Sequence, residues 1–265
     1  MKAGTIWKEI AVAHSRYQNL DASVPISPGI SNLGEEVIGR YWEQRYKKSP
    51  AGIATVGHAR DWRWKIIARY TGGLDDVIDF GCGDLGFWSG RDCLNYLGID
   101  ISERVVETNR EARPGWKFIV SDSSTPLRLR ARVVLCIELL CHLMEEEDFV
   151  ATLDNLAACC GEWLLISTWS TNRFGSLRDA GLRALGLGTS LYRLENISRT
   201  WLDLVRAAQN EAISDGVYRT YRPLEKYLDR IAAAGLQFES KHLCPFDLGL
   251  TAMYVFRRQN FSKVP

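Results

Sequence analysis

The sequence is short of net charge: 33 Lys and Arg face 32 Asp and Glu over 265 residues, a formal charge of +1. Nothing global draws such a chain to a polyanion, because sequence-independent binding to phosphate backbones rests on clustered basic side chains. It also lacks any CxxC pair. Its seven cysteines, an odd number, lie mostly inside apolar runs, which excludes a small disulfide scaffold and reads as reduced thiols packed as small hydrophobes. No stretch approaches the roughly 18 consecutive apolar residues of a membrane span. The N-terminus, MKAGTIWKEIAVAHSRYQ, has no uninterrupted apolar core of the kind a signal peptide needs. The expectation is a soluble, cytoplasmic protein with no membrane partner. There is no internal repeat and no low-complexity segment. What is present, 46% hydrophobic, 25% charged and 11% aromatic residues, fits an ordinary globular chain, and its length suits one domain carrying an insertion.

The apolar pattern divides the chain. Residues 1–34 show no clear period and read as a short helix and a loop. Val37, Ile38, Tyr41, Trp42 and Tyr46 recur at helical spacing, predicting an amphipathic helix over 35–46. A second helix is expected over 61–70, with Asp61 as its cap and Gly72-Gly73 at its end. After Gly73 short apolar runs alternate with helical stretches, the signature of parallel strands and crossover helices. Strands are predicted at 76–80, 96–100, 117–120, 132–137 and 163–168, and helices at 104–112 and 145–160. Residues 172–222 break the rhythm and read as an insertion with helices near 177–185 and 198–210. Pro223 to Ala234 should form a helix with Pro at its first position. Strands at 236–243 and 251–256 are too close for a crossover and should pair antiparallel. The resulting fold class is α/β: a doubly wound seven-stranded sheet with an antiparallel last strand. Within one domain over 1–265 the expected parts are an N-terminal cap (1–73), a core (74–171), a lid insertion (172–222) and a closing helix and hairpin (223–265).

One segment carries chemistry. Val77 to Gly86, VIDFGCGDLG, runs an apolar strand into a glycine-rich turn, where a backbone without side chains can approach a ligand closely. Gly81, Gly83 and Gly86 satisfy G-x-G-x-x-G, so a dinucleotide must be weighed. Asp79 before the turn and Asp84 within it would both repel a pyrophosphate, whereas Asp79 could accept from a ligand ammonium. The antiparallel closing pair also departs from the six-strand parallel order of the dinucleotide fold. NAD is therefore the weaker reading.

From Asp79-Phe-Gly-Cys-Gly-Asp-Leu-Gly86 onward the sequence resembles the class I S-adenosylmethionine-dependent methyltransferases. The likeness runs for about 180 residues, through Leu97-Gly-Ile-Asp100-Ile-Ser, Val120-Ser-Asp122-Ser and Cys136-Ile-Glu138-Leu-Leu-Cys-His142-Leu, in matching order and spacing. The resemblance implies a Rossmann-like methyltransferase fold with S-adenosylmethionine as cofactor. By it, Asp79, Gly81 and Gly83 surround the methionine part. Asp100 accepts both ribose hydroxyls, since two acceptor oxygens match two adjacent donors. Ile101 packs on the adenine, Asp122 accepts from its amino group, and the Ser123 amide lies nearby. Ile137 and Glu138 end the fourth strand beside the transferable methyl. Tyr41-Trp-Glu-Gln-Arg-Tyr46 looks like the aromatic helix that covers the cofactor in many small-molecule members. Arg45 there could pair with the cofactor carboxylate, with Arg60, Arg63 and Lys65 as competitors.

For catalysis the candidates are His142, whose ordinary pKa lies near working pH, and Glu138, each set against a purely structural role. Many methyl transfers need only in-line proximity. Family members that act on RNA 2′-hydroxyls resemble Glu138-x-x-Cys141-His142, but they carry Glu where Cys141 stands and add a later histidine. Residues 172–222 contain no histidine, so no metal is expected. In the family, the stretch after the fifth strand commonly builds the lid over the acceptor. Trp169, Tyr192, Tyr218 and Arg219 are candidates to hold the acceptor there. Between 173 and 230 ten basic residues face seven acidic ones, too slight an excess to indicate RNA. The expected function is S-adenosylmethionine-dependent methyl transfer to a small molecule. RNA or protein methylation, an NAD-dependent reaction and a noncatalytic cofactor-binding module stand as alternatives.

Overall fold

Asp76–Phe80 (β1) is a short β-branched and aromatic run followed by glycine, and it lies inside a seven-stranded sheet, third in the order. The computed structural model describes residues 57–143, 145–170, 222–246 and 251–259, with Trp42, Tyr46 and the backbone of 213–214 and 220–221. The chain leads into β1 through helix α1 (Gly57–Thr71) and continues through β2 (Asn95–Asp100), α2 (Glu103–Ala112), β3 (Lys117–Val120), β4 (Ala131–Ile137), α3 (Glu146–Cys159) and β5 (Cys160–Trp169). A two-stranded ribbon, β6 (Ile213–Ser214) with β7 (Thr220–Tyr221), precedes a 3-10 turn at Leu224–Tyr227, helix α4 (Leu228–Ala233) and the closing strands β8 (Leu236–Leu243) and β9 (Thr251–Arg258).

The sheet order is β3-β2-β1-β4-β5-β9-β8. β1 to β5 run parallel, and β9 lies antiparallel between β5 and β8. This is the expected architecture, closing hairpin included. Because the order reverses beside β1, the carboxyl ends of β1 and β4 flank a crevice, the place where open α/β sheets bind ligands.

Side-chain alternation separates two cores. Ile78, Phe80, Val134, Cys136, Leu164 and Ile166 meet α3 and α4 on one face. Val77, Tyr96, Val133, Leu135 and Leu165 meet α1 and α2 on the other. The second core holds an aromatic cluster. Trp88, fully buried, lies edge-on to Trp64, Tyr96 and Trp116 at centroid distances of 5.0, 4.8 and 5.3 Å, contacts each worth about 0.5–1.5 kcal/mol beyond burial. All seven cysteines are buried and free, as their apolar surroundings predict.

The boundaries show where local signals competed. Helix α1 begins at Gly57, four residues before Asp61, so Asp61 lies inside the helix against Arg60 rather than capping it. The helix ends as expected: Gly72, at φ +63°, donates its amide to Ala68 O. The predicted 223–234 helix is split into the 3-10 turn and α4. The two helices predicted near 177–185 and 198–210 lie outside the described residues, while the ribbon β6–β7 was not expected within the insertion. No helix among the described residues is long and apolar enough to cross a membrane.

Candidate active site

The turn after β1 is held by the neighbouring strand and its helix. The amides of Gly81 and Cys82 both donate to Ile99 O, at 2.8 and 3.0 Å. Gly81 and Gly83 have φ of +70° and +55°, a left-handed backbone that suits glycine. A methyl group on Gly83 would stand 3.0 Å from the Tyr46 hydroxyl, and one on Gly81 would stand 3.1 Å from the Leu139 side chain. The loop is thus walled by Tyr46 on one side and by the turn after β4 on the other.

Asp100, at the end of β2 and 7% exposed, lies under this loop. Its Oδ2 accepts from the Gly83 amide at 2.9 Å and its Oδ1 from the Ser102 amide at 3.0 Å. Ser102 in turn caps α2 by accepting from Val105 N. Each carboxylate oxygen has a second lone pair, so the position can also meet two adjacent hydroxyls. Beside it Ile101 is partly buried. At the end of β3, Asp122 Oδ1 receives both the amide and the hydroxyl of Ser124, at 2.7 and 2.6 Å. Oδ2 carries no hydrogen bond among the described residues. Ser123 is buried, its hydroxyl 3.0 Å from that of Thr152.

Asp79 is turned differently from the other carboxylates. It faces the α1–α2 core, 3% exposed, and its Oδ2 accepts from the Trp88 indole at 2.7 Å and the Tyr96 hydroxyl at 2.9 Å. Burial raises its pKa to about 6, opposed by those two hydrogen bonds and helped by the Asp100 charge. One oxygen is therefore committed to packing, and only Oδ1 remains for a ligand ammonium.

The β4 side is built around a buried cation. Ile137 is buried, and Glu138, which follows it, has φ +59°, a conformation uncommon for a residue with a side chain. Its amide donates to Ser167 O at 2.7 Å. Arg63 of α1, 1% exposed, donates to Glu138 Oε1 (2.8 Å), Ser167 Oγ (2.8 Å), Thr251 Oγ1 (3.1 Å) and Ala59 O (3.1 Å). Ser167 Oγ donates on to Glu138 Oε1 at 2.6 Å. Arg63 is thereby engaged away from the role of cofactor-carboxylate partner for which it competed. His142 lies in the 3-10 turn that follows, its ring edge-on to Trp42 at 4.8 Å. Cys141 is buried, with its thiol 3.4 Å from Glu138 O. Among the described residues no cluster of three or more His, Cys, Asp or Glu could hold a metal ion. Trp169 closes β5, partly buried and paired with Thr251. Arg45, Tyr192, Tyr218 and Arg219 lie outside the described residues.

One support escaped the sequence reading. Asn109, 2% exposed on α2, donates to Gly83 O at 2.7 Å and so holds the glycine turn from its far side. Its position four residues after Val105 on the buried stripe was the available signal, because a polar residue on such a stripe needs a partner. Arg222, 6% exposed, joins the end of the insertion to α3 through Glu146 at 2.8 Å.

No family model and no curated protein matches the chain. Solved structures do. Magnesium protoporphyrin IX methyltransferase from Synechocystis PCC 6803, solved with S-adenosylhomocysteine, is 16% identical, with a TM-score of 0.53 over 85% of this chain and 99% of that one. The N-methyltransferase NodS from Bradyrhizobium japonicum WM9, also solved with S-adenosylhomocysteine, is 11% identical, with a TM-score of 0.55 over 84% and 99%. The 1,6-didemethyltoxoflavin-N1-methyltransferase from Burkholderia thailandensis is 11% identical, with a TM-score of 0.55 over 91% and 98%. The strand order, the glycine turn on Asp100 and these likenesses agree on one architecture: the chain has the fold of the class I S-adenosylmethionine-dependent methyltransferases.

Proposed function

We propose that this protein transfers a methyl group from S-adenosylmethionine to a small-molecule acceptor. The observation that carries the reading is the Gly81–Gly83 turn seated on the Asp100 carboxylate at the crevice of a sheet in methyltransferase order. The residues present suit the cofactor. Asp100 offers two oxygens for the ribose hydroxyls, with Ile101 beside it for the adenine, Asp122 Oδ2 to accept from the adenine amino group with the Ser123 amide nearby, and Asp79 Oδ1 with Gly81 and Gly83 for the methionine part. Arg45 is assigned to the methionine carboxylate on the sequence resemblance alone. The bound cofactor supplies an electrophilic methyl on a sulfonium. The protein's own part is to hold that group, align the acceptor and keep water out.

In this reading the chain is one domain. Its acceptor wall is made by Ile137, Glu138, His142 and Trp169, and by Tyr192, Tyr218 and Arg219 of the 172–222 lid. The nearly balanced charge supports a small acceptor over a nucleic acid. The antiparallel β9 and the buried Asp79 carboxylate favour S-adenosylmethionine over NAD. Seven free thiols fit a reducing compartment such as the cytoplasm. The test is incubation of the purified protein with methyl-labelled S-adenosylmethionine and three separate acceptor pools: a small-metabolite extract, total RNA and denatured protein. Label in the small-molecule pool is expected. Label confined to RNA or protein would overturn the acceptor class.

A further inference from the structure

The carboxylate of Glu138 is held unevenly. Oε1 receives two short hydrogen bonds, from Arg63 Nη2 at 2.8 Å and from Ser167 Oγ at 2.6 Å, while Arg63 Nε donates to the same Ser167 hydroxyl at 2.8 Å. The three side chains close a ring. Oε2 carries no hydrogen bond among the described residues, yet the Glu138 side chain keeps 15% exposure beside an Arg63 that keeps 1%. The left-handed backbone at Glu138 and its amide bond to Ser167 O fix the residue from behind. Both donors converge on Oε1, which leaves the carboxylate held from one side only. It suits the task of stabilising positive charge that gathers on a nearby atom.

We propose, on the reading of this protein as an S-adenosylmethionine-dependent methyltransferase, that Arg63 is a positioning residue that presents Glu138 Oε2 to the acceptor, and that the acceptor atom is a neutral nitrogen. Attack by such a nitrogen forms the nitrogen–carbon bond and breaks the carbon–sulfur bond, whose electron pair stays on sulfur as a neutral thioether. The positive charge moves to the nitrogen, which needs no prior deprotonation, and a proton carried by that nitrogen leaves to water afterwards. A carboxylate ion-paired with Arg63 and fixed through Oε1 suits stabilising the positive charge that gathers on such a nitrogen.

Sinefungin tests this without a known acceptor, because it replaces the methylsulfonium by a carbon bearing an amine and so sets a cationic nitrogen where the methyl would be. S-adenosylhomocysteine and sinefungin are titrated calorimetrically into the full chain and into Glu138→Gln and Arg63→Lys. The wild type should prefer sinefungin by about tenfold or more, as a charge-assisted contact predicts. Glu138→Gln should lose that preference while keeping its affinity for S-adenosylhomocysteine, and Arg63→Lys should lose part of it. A merely structural role for Arg63 would weaken both ligands together. Equal affinities in the wild type, or a preference that survives Glu138→Gln, would overturn the inference. Failure of S-adenosylhomocysteine to bind the folded wild type would overturn the methyltransferase reading itself. If Arg63→Lys does not fold, the near-isosteric Glu138→Gln decides.

Discussion

On the β1–β3 side of the crevice, the polar groups that shape the site come from nearby in the chain. Asp122 reaches two residues to Ser124, Asp100 two to Ser102 and 17 to Gly83, and Asn109 26 to Gly83. On the β4–β5–β9 side, Arg63 reaches 75 residues to Glu138, 104 to Ser167 and 188 to Thr251. The first side is made of turns and caps, whose residue types announce themselves at short range. The second exists only once four distant segments have packed. The comparison teaches that one wall of a crevice can be written as local motifs while the other is assembled by tertiary structure.

The largest effect expected is on the long-range side. Arg63→Met removes the buried cationic partner of the Glu138 carboxylate, so it should cost about 3–5 kcal/mol of stability by denaturant melt. A loss near that of an exposed pair would break the contrast drawn here. On the short-range side Asp79→Asn should do the opposite. Burial lifts the Asp79 pKa from 3.8 to about 6, so the folded chain holds this proton more tightly than the unfolded chain. The associated stability is present below about pH 4 and is lost as pH rises through 6. Asparagine still offers an acceptor to Trp88 and Tyr96 without a desolvated charge. The variant should gain on the order of 2 kcal/mol at pH 7 and lack this slope between pH 4 and 6. The same change removes the charge proposed for the methionine ammonium, so affinity and stability should move in opposite directions.

A smaller effect follows from Asn109→Ala, which leaves Gly83 O without its donor. It should cost about 1–2 kcal/mol and weaken S-adenosylhomocysteine in calorimetry while leaving Glu138 untouched. Smallest of all is Arg230→Ala. Arg230 meets Asp154 through two hydrogen bonds of 2.6 and 2.5 Å, but both side chains are about half exposed, and such pairs contribute little. Its melting curve should overlay that of the wild type, which sharpens the difference between a surface pair and the buried Arg63–Glu138 pair.

The same distinction of range explains what was legible in the sequence. The strands β1, β3 and β8 matched their predicted bounds residue for residue, because alternation and flanking glycines are local signals. The glycine turn was legible for the same reason, and Asp100 was named through the resemblance that starts from that turn. Asp61 misled because an aspartate before an apolar run resembles a cap wherever it occurs, and the packing of Trp64, Ile66 and Ile67 does not mark the helix start. Asp79 was recognised as special, but its commitment to Trp88 and Tyr96 depends on how loop and β2 fold back over it. Arg63 was named only as one of four basic candidates, since no local pattern shows that an arginine on a helix will be buried against Glu138. His142 was singled out by its type, whereas its contact with Trp42 joins segments a hundred residues apart.

The central claim is that the loop seated on Asp100 holds S-adenosylmethionine. The most direct test is calorimetric titration of S-adenosylhomocysteine into the wild type and Asp100→Ala, with NAD as competitor and circular dichroism to show that both are folded. Micromolar binding to the wild type, undisturbed by NAD and weakened at least about a hundredfold in the variant, is the predicted result. A folded wild type that binds no S-adenosylhomocysteine, or a variant that binds it equally well, would contradict the account.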